Sequence, residues 1–444
     1  MSRHHDTARR LGTAVLAYLV ASTLLVTWAP FDFHRSPQHG VTLWWTWSDL
    51  LLNVVLFAPL GFLWQAARTR TTDDVVEGQR RAPAALADAL LAGALLSAVI
   101  EAGQLLLPER FSSPVDILTN ATGGLLGAWG FRVLRPGLGM ASVSGRPALV
   151  LDLPLAGVVI LLVPLLWVSA LGDPSANRLA LLLPVACTGG LLIGSVHGGH
   201  LASASPGSRH GVAAAAGAWM FIGAAPSTLV ASGGRAWLYL SAGVALAAVV
   251  AAWRSDVAAR ARARDGGRRV EHAALRLAMP FFAVYVTLAS LWPLAAIDGT
   301  WRAAWVLAPA SEALTRGLLL QALAHLGAST LVGYVTAEFH GRDNRRFADA
   351  WSRVLARVLP LVLLLEWARG WNTTTGASGA FVLLALAAGL FGGWLYHLQR
   401  DHVRALREAM PSGVRSDAPW WRGASAATQP AASASVAGTA SRTT

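Results

Sequence analysis

Long apolar runs, each about the length needed to cross a lipid bilayer, recur along the whole chain. A spanning helix needs roughly 20 mainly apolar residues. Such runs fall near 11–29, 48–67, 85–107, 114–134, 148–171, 179–197, 212–231, 236–253, 277–296, 317–337, 355–371 and 379–398. They predict an all-α polytopic transmembrane helical bundle of about 12 spans. Composition agrees: 54% of residues are apolar and 14% are charged, too little charge for the surface of a soluble domain. The run near 302–316, broken by Pro309, Glu312 and Arg316, reads as an interfacial helix.

Every basic residue is Arg, and the arginines collect at the ends of the apolar runs. That placement excludes a basic nucleic-acid-binding module. The segments that would face inward carry Arg3, Arg9 and Arg10, then Arg68, Arg70, Arg80 and Arg81, then the very basic 254–276 loop. Segments on the other side hold only Arg35, Arg110, Arg178, Arg235, Arg302, Arg316 and Arg369. This is the positive-inside pattern, and it predicts that both termini lie in the cytoplasm. The first run is longer than a signal-peptide core and reads as an uncleaved anchor. One cysteine, Cys187, rules out an intramolecular disulfide.

The chain also matches itself. The register that sets Glu101 on Glu366 sets Ser113 on Ser378, and Gly124, Gly127 and Trp129 on Gly389, Gly392 and Trp394. Spans 1–4 and 9–12 therefore read as parallel copies of one four-helix unit. The second copy carries Phe381 for Asp116, Ala385 for Asn120, Arg369 for Gln104 and Thr375 for Arg110. The expected organisation is a four-helix unit at 7–136, a middle four-helix segment at 148–253, a degenerate second unit at 272–400, and a disordered Ala/Ser/Thr-rich tail at 410–444.

Polar groups concentrate in the first unit. Asp49 and Asn53 sit four apart at the start of span 2, Glu101 and Gln104 three apart at the end of span 3, and Asp116 and Asn120 four apart at the start of span 4. Arg110 and Ser113 lie in the short connection between spans 3 and 4. Alternating topology brings all three helix ends to the outer side. Ionisable groups at that depth face the bundle interior or water and have partners. Three carboxylates against one arginine leave a negative excess, so either a carboxyl holds a proton or a cation sits among them. A divalent ion such as Mg²⁺ takes oxygen ligands of this kind. On that reading Asp49, Glu101 and Asp116 hold the metal or act as acid and base. Asn53, Gln104, Arg110, Ser113 and Asn120 bind the ligand, with Arg110 and the helix N-termini on a phosphate. The bland alternative makes Asp49 and Asp116 helix caps. Gly123, Gly124 and Gly127 read as small residues for close helix packing. His197, His200 and His210 read as members of a solvated loop.

The order Asp49, Asn53, Pro59-Leu60-Gly61, Glu101, Gln104, Arg110, Asp116, Asn120, Gly124, Gly127 resembles the VanZ-like family of bacterial membrane proteins, associated with resistance to a glycopeptide antibiotic. The resemblance runs from the start of the chain to about Arg135. The resemblance implies a bacterial inner (cytoplasmic) membrane protein that acts on cell-envelope lipids or polymers. The leading expectation is an outward-facing polar pocket that binds or processes an anionic envelope lipid or glycan precursor, such as a polyprenyl-phosphate-linked one. The alternatives are a transporter or flippase built from repeated membrane units, and a non-catalytic scaffold or regulator. Catalysis, ligand identity and oligomeric state stay open.

Overall fold

The computed structural model describes residues 2–28, 33, 40–68, 82–107, 110–137, 156–172, 176–198, 208–231, 233–265, 270–297, 299–304, 316–340, 346–373 and 376–409. Twelve α-helices run through them: α1 Ser2–Trp28, α2 Trp47–Arg68, α3 Ala82–Gln104, α4 Pro114–Gly137, α5 Ala156–Gly172, α6 Leu182–Val196, α7 Ser208–Ala231, α8 Gly234–Asp265, α9 Val270–Leu291, α10 Arg316–His340, α11 Phe347–Arg369 and α12 Gly379–Ala409. The order matches that of the predicted spans. The expected 410–444 tail lies outside the described residues.

Eight of these helices are long and apolar enough to cross a membrane: α1, α2, α3, α6, α7, α8, α9 and α12. Of the four others, three show the reason in their sequence. The described apolar stretch of α5 is short, Gly157–Trp167. α4 carries Asp116, Arg132 and Arg135, and α11 carries Asp349, Arg353, Arg357, Glu366 and Arg369.

The outside of the bundle is apolar. On α3, Leu91, Leu95 and Val99 repeat every fourth residue and are 60%, 69% and 52% exposed. Leu118 and Trp129 of α4, Leu238 and Val249 of α8, and Leu361, Leu364 and Trp367 of α11 also point outward. Stripes of this extent would be costly in water and suit hydrocarbon. The chain is a polytopic helical membrane protein.

In the first unit α4 lies along α2 with α3 packed beside it. Glycine makes this approach possible. A methyl group on Gly61 would meet the backbone carbonyl of Gly124, and one on Gly127 would meet the carbonyl of Ala58 and the amide of Phe62. The same contacts recur between α10 and α12: Gly333 against Gly389, and Gly392 against the carbonyl of Thr330 and the amide of Tyr334. Without a hydrophobic driving force between helices in lipid, such close backbone approach supplies the packing.

The connections show a second correspondence. Before α2, Val41 bridges Ser112 in parallel, and the Thr42 amide donates to the Ser112 carbonyl at 2.9 Å. Before α10, β1 (Ala303–Ala304) pairs in parallel with β2 (Ala377–Ser378). Ala303 and Ala304 are thus extended, not helical as the 302–316 reading expected; 305–315 lie outside the described residues. A bulky indole braces each unit: Trp28 Nε1 donates to the Ile100 carbonyl at 3.1 Å, and Trp301 Nε1 to the Trp367 carbonyl at 3.0 Å.

The middle helices stitch the units together. α6, α7 and α8 pack on one another, α5 lies against α7 and α10, and α1 packs against α12. Trp167 donates to the Ile222 carbonyl and Trp219 to the Val159 carbonyl, locking α5 to α7. At the other end of this segment the histidine expectation needs correction. His197 is buried, not in a solvated loop, and its Nδ1 lies 2.8 Å from Ser255 Oγ of α8. Gly194 and Gly198 let α6 approach α8 closely enough for that contact. His210 is exposed at the start of α7, and His200 lies outside the described residues.

Candidate functional site

Three helix termini meet at one end of the first unit, and each brings polar groups for a local reason. α2 begins with a reciprocal cap. The Asp49 amide faces Thr46 Oγ1 at 3.2 Å, while the Thr46 amide and hydroxyl donate to Asp49 Oδ2 at 3.1 and 2.6 Å. This is a capping box with Asp in the third helical position. α4 begins likewise, with Ser113 Oγ accepting from the Val115 amide at 3.2 Å. Ser113 is buried and Asp116 half-buried.

Glu101, at the last turn of α3, is 4% exposed. Its Oε2 accepts the Ser113 amide at 2.7 Å, and the Ser112 hydroxyl also donates to it. The carboxyl thus holds the α3–α4 connection from within, as a charge-assisted acceptor for an otherwise orphaned helix-start N–H. Asp116 and Arg110 both lie close enough to act on it electrostatically. On its other side Asp116 accepts a hydrogen bond from Asn53 and faces Asp49. Asp49, Asn53, Glu101, Arg110, Ser113 and Asp116 therefore form one connected cluster across α2, α3 and α4. The buried Ser112 belongs to it too, although sequence reading passed over it; its place after Phe111 in the connection was the available signal.

Two expected site residues serve differently. Asn120 Nδ2 donates to Ser97 Oγ at 2.8 Å, one turn deeper between α3 and α4, and the Asn120 Oδ1 is buried with no hydrogen-bond partner among the described residues. Gln104 is buried at the end of α3. Its backbone carbonyl accepts the Leu107 amide and closes the turn after the helix. Glu109, the sequence neighbour of Arg110, lies outside the described residues.

Metal binding can be tested on the donor set. Among the described residues, no three His, Cys, Asp or Glu side chains are grouped to hold a metal ion. One Asp49 oxygen is taken by the helix cap and one Glu101 oxygen by the Ser113 amide. The described contacts make the cluster a hydrogen-bonded carboxylate network.

The second unit holds the counterpart of this region. The Ser378 amide donates to Glu366 Oε2 at 3.0 Å, as Ser113 does to Glu101. Glu366 also pairs with Arg369 at 2.7 Å. The glycine contacts set Gly333 of α10 on Gly61 of α2, and in that register His325 takes the place of Asn53. Where Asn53 meets Asp116 in the first unit, His325 meets Phe381 here, ring centroids 5.8 Å apart.

These features define a polytopic helical membrane protein whose N-terminal unit gathers carboxylates, an amide, serines and an arginine at one end. Residues 8–135 match the family described as VanZ/LLP1, so the N-terminal unit is of the VanZ type. Comparison with curated proteins and with solved structures gave no match.

Proposed function

We propose that the polar end of the N-terminal unit is an outward-facing site for the head group of an anionic cell-envelope lipid or glycan precursor. The chain sits in the bacterial inner membrane with both termini in the cytoplasm. One observation carries the reading: Glu101 and Asp116 interact across the α3–α4 connection, with Asn53 and Arg110 as their neighbours. Two carboxylates so close, in a partly dry site, favour sharing a proton or taking hydrogen bonds from a ligand's hydroxyls. Arg110 and the partial positive charge at the starts of α2 and α4 favour a phosphate on the same ligand. Glu101 and Asp116 are the acid and base if the site is catalytic. The parallel packing of the two units supports reading them as copies of one ancestral four-helix unit, the first of which keeps the acidic set.

The test is binding of a polyprenyl phosphate to the purified chain in nanodiscs, with Mg²⁺ and with a chelator. The expected result is saturable binding, weakened at least about tenfold by Asp116→Asn. Equal binding by that variant would refute the site. Release of phosphate or transfer of a sugar during the assay would identify an enzyme, and binding alone a recognition module.

A further inference from the structure

The second unit has lost most of the acidic and amide set, yet it borders a cavity with a different chemistry. Two arginines line it: Arg178, in the 3₁₀ turn Ala176–Leu181 before α6, and Arg369, at the end of α11. They are 7% and 1% exposed. His325 of α10 lines it too, close enough to feel both guanidinium groups electrostatically. Tyr285, Ser290 and Trp292 complete the polar and aromatic part of the wall. Arg369 gives Nη1 to Glu366 and lies over the Phe381 ring at 4.6 Å, but its buried Nε has no hydrogen-bond partner among the described residues.

A buried guanidinium donor without an acceptor, such as the Arg369 Nε, is costly in an apolar surround. A guanidinium fork matches phosphate and carboxylate oxygens. We propose that this cavity binds a single small oxyanion of the phosphate class, held by Arg369 and Arg178, with Ser290 in the same wall. The site joins the second unit to the middle segment and gives the exchange of Gln104 for Arg369, and of Asn53 for His325, a common purpose. It is separate from the head-group site of the first unit and does not depend on it.

The experiment is calorimetric titration of the full-length chain in neutral detergent, at constant ionic strength. The probes are inorganic phosphate, a short-chain phosphatidic acid, phosphatidylcholine of the same length, and chloride. Arg110→Gln is run throughout, so that binding at the first unit is recognised. The expected result is saturable binding of phosphate or phosphatidic acid that persists in Arg110→Gln and weakens at least about tenfold in both Arg369→Gln and Arg178→Gln. Binding of phosphate identifies a free anion, and binding of phosphatidic acid alone a lipid head group; either supports the site. If Arg369→Gln does not fold, Arg178→Gln decides. No binding by either probe, binding unchanged in the arginine variants, or equal binding of chloride overturns the proposal.

Discussion

Glu101 and Glu366 perform the same backbone task in opposite electrostatic settings, so the same substitution should have different consequences. Each carboxyl accepts a serine amide across the turn to the next helix, at 2.7 Å and 3.0 Å. Glutamine keeps an acceptor for that amide in both cases. At Glu366 it also removes the partner of Arg369, which is 1% exposed. Stranding a buried charge costs about 3–5 kcal/mol. At Glu101 the neighbours are Asp116 and the half-buried Arg110. Losing charge assistance costs about 1 kcal/mol, and relief of repulsion from Asp116 offsets it, so the net change stays within about 1 kcal/mol. Glu366→Gln should therefore be less stable than Glu101→Gln by roughly 3 kcal/mol, on the order of a hundredfold in the unfolding equilibrium. Reversible unfolding in mixed micelles, in phosphate-free buffer, measures the gap. Equal losses, or a larger loss at Glu101, would refute the assignment of Glu366 as counter-ion and Glu101 as a member of an acidic cluster.

Gly127→Val should destabilise the chain by about 1–3 kcal/mol or more, since the added atoms meet the α2 backbone; Gly130→Ala, with open space at its Cβ, should cost nothing measurable in the same unfolding assay. A double-mutant cycle on Ser97→Ala and Asn120→Ala should give a coupling of about 0.6 kcal/mol, and no coupling would remove the bond between α3 and α4. Burial pushes the His197 imidazole below its ordinary value of 6.5. The unfolded chain then binds a proton that the folded one resists, so stability present above that value falls as pH drops through it. The thermal midpoint of the native chain should fall more between about pH 7.5 and about pH 5.5 than that of His197→Gln; equal falls would assign the pH dependence elsewhere.

The helical order was legible because apolar runs of bilayer length have few other fates. α4 and α11 were read from the same runs but carry polar and charged residues that keep them short of a spanning hydropathy. The meeting of Asp49, Asn53, Glu101 and Asp116 was also legible, since alternating helices put three polar termini at one end. What each side chain does there was not. Asp49 turns back onto Thr46, and Glu101 takes a backbone amide from the next connection. Asn120 turns to Ser97 between helices. Those choices depend on rotamers and on backbone groups, and neither leaves a trace in residue spacing.

The second unit was harder to read for a topological reason. α11 and α12 follow α3 and α4 in the register that sets Glu366 on Glu101 and Gly389 on Gly124. The backbone contacts of α10 follow those of α2 in another register, the one that sets Gly333 on Gly61. No single alignment without a gap therefore pairs His325 with Asn53, and without that pairing the second unit reads as one that has simply shed its polar groups. Placed together, the replacements remove the local negative excess. Asp116 gives way to Phe381, Gln104 to Arg369 and Asn53 to His325, while the glycine contacts between the paired helices stay the same. Packing through backbone atoms makes this exchange possible. Because Gly333, Gly389 and Gly392 hold α10 against α12 without help from the polar residues, the end of the unit can change its chemistry without losing its frame.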